Sequence, residues 1–178
     1  MSIARTLRLS AVALVALCCP ASPRAEPTAA NAVPLSAFPR ERIAIETRSS
    51  FRRALFEAWL AESVAAREQG FMFVRDDQVR PDQAMIFVYE PPQHVAMWMK
   101  NTLLSLDILF VDTRGCIVTI RQRAEPGSLA TIDSRKPVTL VVELKAGTVA
   151  DHGIAVGDRV LRLDAGWPRG ENVCSAKR

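Results

Sequence analysis

ALFEAWLAESVAAREQ, residues 54–69, can be read in two ways, and the choice sets the fold class. Ala, Leu and Glu dominate the segment, so intrinsic propensity favours one long helix. Its first half also alternates. Phe56, Ala58 and Leu60 fall on one side, and Glu57, Trp59 and Ala61 on the other, which is the period-2 signature of a strand. Ser63 is a good helix N-cap, and Gly70, directly after the segment, is a good helix stop. We read a strand to about Glu62 followed by a short helix over Val64–Gln69.

The neighbouring segments follow the same logic. RIAIETR (Arg42–Arg48) alternates and reads as a strand. AMIFVYE (Ala84–Glu90) is a compact apolar strand, closed by Pro91-Pro92, which cannot continue a ladder. HVAMWM (His94–Met99) is a further strand, and LDILFVD (Leu106–Asp112) another. The turn Asp112–Gly115 joins the latter to CIVTIRQ in a hairpin. Residues 124–137 are loop-like. VTLVVELKAG (Val138–Gly147) is a strand, Thr148 caps a helical turn to His152, and RVLRL is the last strand. Short strands, tight turns and two brief helices predict a mainly β domain (β-rich α+β). Its expected form is an antiparallel sandwich or a partly closed barrel.

The ends of the chain carry different information. Arg5 and Arg8 precede an apolar run, Leu9–Cys19, followed by small residues with plausible cuts after Ala21, Ala25 or Ala30. Residues 1–25 therefore read as a secretory signal, with a retained anchor or a lipoprotein through Cys18 or Cys19 as alternatives. Removing them takes three arginines and no acid, which leaves 20 basic and 19 acidic residues and a formal charge of +1. Electrostatic capture of nucleic acid is not supported by that balance. Residues 26–41, rich in proline and small residues, read as a flexible mature N-terminus. Residues 42–165 then form a single domain, and 166–178 a C-terminal tail. The expected location is periplasmic or secreted, with no membrane span after cleavage. Cys116 and Cys174 are the two cysteines outside the leader. They are either a disulfide or two separate thiols, and they lack the spacing of a metal site.

One stretch mixes apolar residues with charge. WMKNTLLSLDILF (Trp98–Phe110) holds Lys100 and Asp107 seven residues apart. A buried Lys or Asp is expensive unless paired. If the chain turns between Thr102 and Ser105, the two form an ion pair that sets register. Otherwise Lys100 caps carbonyls at a strand crossing, or it binds an anionic group, with Asn101 supplying a donor and an acceptor. Trp98 lines an apolar pocket or packs in the core. Arg67 lies on a solvated helix face or binds a carboxylate. His94 is a strand-edge residue or a general base. Glu143 stands on the outer face of an alternating strand or partners a buried cation. No nucleophile elbow, P-loop, HExxH or dinucleotide glycine pattern occurs.

Several blocks resemble one family, the domain of unknown function 192. They are REQGFMF (Arg67–Phe73), AMIFVY (Ala84–Tyr89), WMKNTLLSLDILFVD (Trp98–Asp112), VVELKAG (Val141–Gly147) and GIAVGDRV (Gly153–Val160). The resemblance implies a mostly β, sandwich-like domain and brings no activity with it. Ser105 stands where the family usually has proline. The functional expectation is a monomeric binding module for a small molecule, glycan or envelope protein, without a cofactor. Its ligand face would lie near Trp98, Lys100, Asn101 and Asp107, with Arg67 and His94 as further candidates. The alternatives are a cell-envelope enzyme using Lys100, Asp107 or His94, and an assembly protein of the envelope.

Overall fold

The ambiguous segment divides where its alternation ends. In the computed structural model, which describes residues 27–50, 52–166 and Cys174, strand β2 spans Arg53–Ala61 and helix α1 spans Val64–Gln69. Ser63 Oγ accepts the Ala66 amide at 3.1 Å, and the Gly70 amide donates to the Ala66 carbonyl at 2.9 Å. Six residues are too few to sustain a helix alone. The cap at one end and packing against β2 hold α1 in place.

The remaining elements, in chain order, are β1 (Arg40–Glu46, before β2), β3 (Gln83–Gln93), β4 (Ala96–Met97), β5 (Leu106–Val111), β6 (Ile117–Ala124), β7 (Ile132–Asp133), β8 (Val138–Lys145), α2 (Thr148–His152) and β9 (Arg159–Arg162). Seven strands form one sheet in the order β6-β5-β8-β3-β2-β1-β9, and β4 pairs with β7 in a separate ribbon. Among the described residues, all strand pairings but one are antiparallel. The exception is β2 with β3, which run parallel from Glu57↔Gln83 to Ala61↔Phe87. A parallel pair needs a crossover, and α1 with residues 70–82 provides it.

The sheet curls into a half-barrel, and its two edge strands meet at one end. Cys116 bridges Arg159, and the Val160 amide donates to the Gly115 carbonyl at 2.8 Å. Cys116 also forms the disulfide with Cys174, closing a separation of 58 residues at the same corner.

The pleat sends side chains to two cores. On one face lie Ile43, Ile45, Phe56, Ile86, Leu109, Val111, Val142 and Val160, with Val149 of α2 packed against them. On the other lie Trp59, Met85, Phe87, Ile108, Phe110 and Val141, covered by Phe71, Val79, Val95, Met99 and Leu104. Each fully buried large apolar side chain contributes roughly 1.5–3 kcal/mol.

Several expectations need correction. β3 does not stop at Pro91-Pro92 but continues to Gln93. Its pairing with β8 is interrupted between Val88 and Gln93, so the prolines sit where a missing N–H removes no ladder bond. The strand expected over His94–Met99 shrinks to two residues. Its flanking backbone bonds go instead to the 124–137 segment, with Ser134 N donating to Val95 O and Met99 N to Ser128 O. Thr148 is the first residue of α2, and the N-cap position is Gly147. Within residues 26–41, Val33 exchanges two hydrogen bonds of 2.7 Å with Gln69, and Phe38 is buried. β1 accordingly begins at Arg40, ahead of the expected boundary at Arg42. Ser105 Oγ donates to the Ala124 carbonyl at 2.9 Å, a bond proline could not make. The expected signal peptide, and all of the expected tail except Gly166 and Cys174, lie outside the described residues.

Candidate functional site

Glu143 sits in the middle of β8, flanked by Met85 of β3 and Ile108 of β5. Alternation along β8 puts its side chain on the face of Val141, among Phe87, Tyr89 and Phe71. The residue is only 4% exposed. Among the described residues its carboxyl group has no hydrogen-bond or ion-pair partner. Burial alone pushes its pKa from 4.5 up to about 8, so the acid is held neutral through the middle of the pH range.

A cleft of about 240 Å³ opens onto this group. Arg67, Gly70, Phe71 and Met72 from α1 and the turn after it form one wall, Phe87 and Tyr89 of β3 a second, and Met97, Trp98 and Thr102 a third. Backbone contacts join the first wall to the third. Met72 bridges Thr102, and the Phe73 amide donates to the Asn101 carbonyl at 2.8 Å. Phe73 and Asn101 both have positive φ, 64° and 56°, a conformation costly for a non-glycine residue and held by its surroundings. Gly70 has φ +49°, and a Cβ there would lie 3.1 Å from Phe87 and 3.9 Å from the Glu143 carboxyl. Glycine therefore keeps the cleft open at its base.

Arg67 is half-buried. One guanidinium nitrogen donates to the carbonyls of Glu62 and Val88, and the group lies 5.1 Å from the Tyr89 ring centre. Among the described residues it forms no ion pair. Tyr89 is pushed up to about 12, chiefly by burial and further by Glu143, with Arg67 acting in the other direction. Trp98 is 51% exposed, and Lys100 places its ammonium 5.5 Å from the Trp98 ring centre.

The residues singled out from sequence separate into two groups. Trp98 and Arg67 meet at the cleft, and Lys100 stands beside Trp98. Asn101 shapes the turn. His94 is exposed and does not line the cleft. Asp107 lies on the opposite face of the sheet, fully buried. Its Oδ1 accepts the Arg123 amide at 2.9 Å, and its Oδ2 accepts the amides of Gly147 at 3.0 Å and Val149 at 2.9 Å. It thereby satisfies the first turn of α2. Among the described residues no ion pair joins Lys100 and Asp107, so that expectation is replaced by this three-amide cradle. Glu143 is the residue that sequence reasoning undervalued. β8 is buried on both faces, so it offers no outer face for a glutamate. The signal was the unbroken apolar run around it.

Comparison with known proteins agrees with the resemblance noted from the motifs. The profile of the DUF192 family, described as an uncharacterized ACR, matches residues 45–161. The chain belongs to the DUF192 family. A crystallised protein of Sinorhizobium meliloti 1021, provisionally named a transcription regulator, is 44% identical, with a TM-score of 0.68 over 71% of this chain and 95% of its own. A Novosphingobium aromaticivorans DSM 12444 protein of unknown function is 29% identical, with a TM-score of 0.68 over 72% of this chain and 89% of its own. No curated protein matches the sequence. Arg67, Gly70, Trp98 and Glu143 all fall inside the matched DUF192 region. Among the described residues no group of three or more His, Cys, Asp or Glu could hold a metal ion, and no helix is long and apolar enough to cross a membrane.

Proposed function

We propose that this chain is an exported binding module that takes a small ligand into the cleft over Glu143. One observation carries the reading. A buried carboxyl group without a partner opens into a cavity with aromatic walls, and native folds rarely leave such a group unmet. A ligand donor completes it, while Phe71, Tyr89 and Trp98 pack the apolar body. A few polar groups converging in an apolar pocket is the ordinary composition of a small-molecule site. The cavity is below the roughly 300–1,000 Å³ usual for such sites, so the ligand is small.

Export rests on the leader sequence, and a disulfide suits an oxidising compartment. The role named for the Sinorhizobium relative gains no support from charge, since the formal +1 left once residues 1–25 are removed supplies no electrostatic drive toward nucleic acid. The enzyme reading loses Asp107, whose oxygens are enclosed and already satisfied.

The test is amide NMR of the mature chain against a library of small aromatic and aliphatic fragments. Shifts should cluster at Arg67, Gly70, Trp98 and Glu143 and disappear in Trp98→Ala. Shifts confined to the surface around His94, remote from Glu143, would count against the cleft.

A further inference from the structure

We infer that the cleft ligand is dipolar and amino-acid-like, with an anionic group on Arg67, an ammonium on Glu143 and an apolar side chain between the aromatic walls. This inference rests on the cleft being the ligand site. It begins from a guanidinium and a carboxyl group that share one small cavity without pairing with each other. Arg67 and Glu143 both line the cleft, yet no ion pair within 4.0 Å joins them or joins either to another described residue. A guanidinium retains donors beyond the nitrogen committed to the Glu62 and Val88 carbonyls, and its planar fork suits a carboxylate. Glu143, at the floor, offers oxygens to a donor. A ligand carrying only an anion brings no N–H donor to the Glu143 oxygens. A ligand carrying only a cation would leave Arg67 without a counter-charge. A zwitterion meets both. The remaining walls, Phe71, Phe87, Tyr89, Met97 and Trp98, leave an apolar volume between the two polar ends.

The proton balance follows. Burial keeps Glu143 protonated up to about pH 8. An arriving ammonium keeps its three protons and requires the carboxylate, so the Glu143 proton leaves to solvent. Binding below pH 8 therefore releases one proton and strengthens as pH rises, approaching ten-fold per pH unit at the low end. The other ionisable groups facing the cleft are Arg67, Tyr89 and Glu68. Tyr89 keeps its proton to about 12, and Glu68 is exposed.

Calorimetric titration of the mature chain with L-phenylalanine, 3-phenylpropanoate and phenethylamine tests this. Phenylalanine should bind at least ten-fold more tightly than either single-charge analogue. In buffers of different ionisation enthalpy it should release close to one proton at pH 6.5. Glu143→Gln should abolish the proton release and the advantage over 3-phenylpropanoate. Arg67→Met should abolish the advantage over phenethylamine, and Arg67→Lys, should the methionine variant fail to fold, should retain part of it. Equal binding of an analogue, or no binding of phenylalanine at 10 mM, overturns the dipolar assignment. In either case, analogue or fragment shifts at Gly70 and Trp98 would leave the cleft reading standing. Phenylalanine shifts mapping elsewhere would overturn both.

Discussion

Asp107 and Glu143 are two buried carboxyl groups one step apart in register on neighbouring strands, since Asp107 pairs with Leu144 and Ile108 with Glu143. They project to opposite faces of the sheet and meet opposite surroundings. Asp107 accepts three backbone amides and fastens α2 and the β6 irregularity at Arg123 to β5. Glu143 meets aromatic rings and an open cavity. A buried acid is costly in either place, but only the first has its cost offset by the fold. Burial alone therefore does not separate a structural acid from a functional one. What the oxygens touch does.

The largest expected effect tests the Glu143 half of this contrast. Its folded pKa of about 8 lies above the unfolded value near 4.5, so the folded state keeps a proton that the unfolded chain releases. Stability is then undiminished below about pH 4.5 and declines as pH rises toward 8. The two values differ by an amount worth at most on the order of 5 kcal/mol, at 1.36 kcal/mol per pK unit. Urea unfolding of wild type against Glu143→Gln across pH 4–9 should show that decline only in wild type. A difference between the two that does not change with pH would mean the carboxyl is paired after all.

Asp107→Ala should cost about 3–5 kcal/mol at pH 7, because three amides lose a charged acceptor while buried. Asp107→Asn, which keeps one acceptor oxygen, should cost less. A loss below about 1 kcal/mol in the alanine variant would mean that water reaches the vacated amides, and the contrast would weaken. Glu143→Met should have the opposite sign at pH 7, a gain of about 1–3 kcal/mol in urea unfolding, with binding in the cleft lost.

Gly70→Ala should lower stability by about 1–2 kcal/mol through its positive φ and the close approach to Phe87, read as a fall in Tm. Trp98→Ala should change stability least, by about 1 kcal/mol or less, because half of the side chain is already in water. It should still remove ligand binding. A large loss of stability there would recast Trp98 as a core residue.

Local sequence determined a good deal about this protein. The alternation in 54–61, the Ser63 cap and the Gly70 stop placed a strand and a helix where propensity alone favoured a single helix. The apolar segments 84–90, 106–112 and 138–147 became the central strands β3, β5 and β8, because their periodicity and turn residues act over a few neighbours. Trp98 and Arg67 stood out in the sequence only as candidates, each beside a blander reading as core packing or a solvated helix face. Tertiary structure decided the rest. The parallel β2–β3 pair depends on where α1 returns the chain. The meeting of β6 with β9 depends on how far the sheet curls. The separation of Asp107 from Lys100, and the placing of Glu143 over a cavity, depend on which face each strand presents once both faces are covered. A single strand shows that neighbouring side chains alternate, but it cannot show what the opposite face meets, because those partners come from strands and loops far away in the chain.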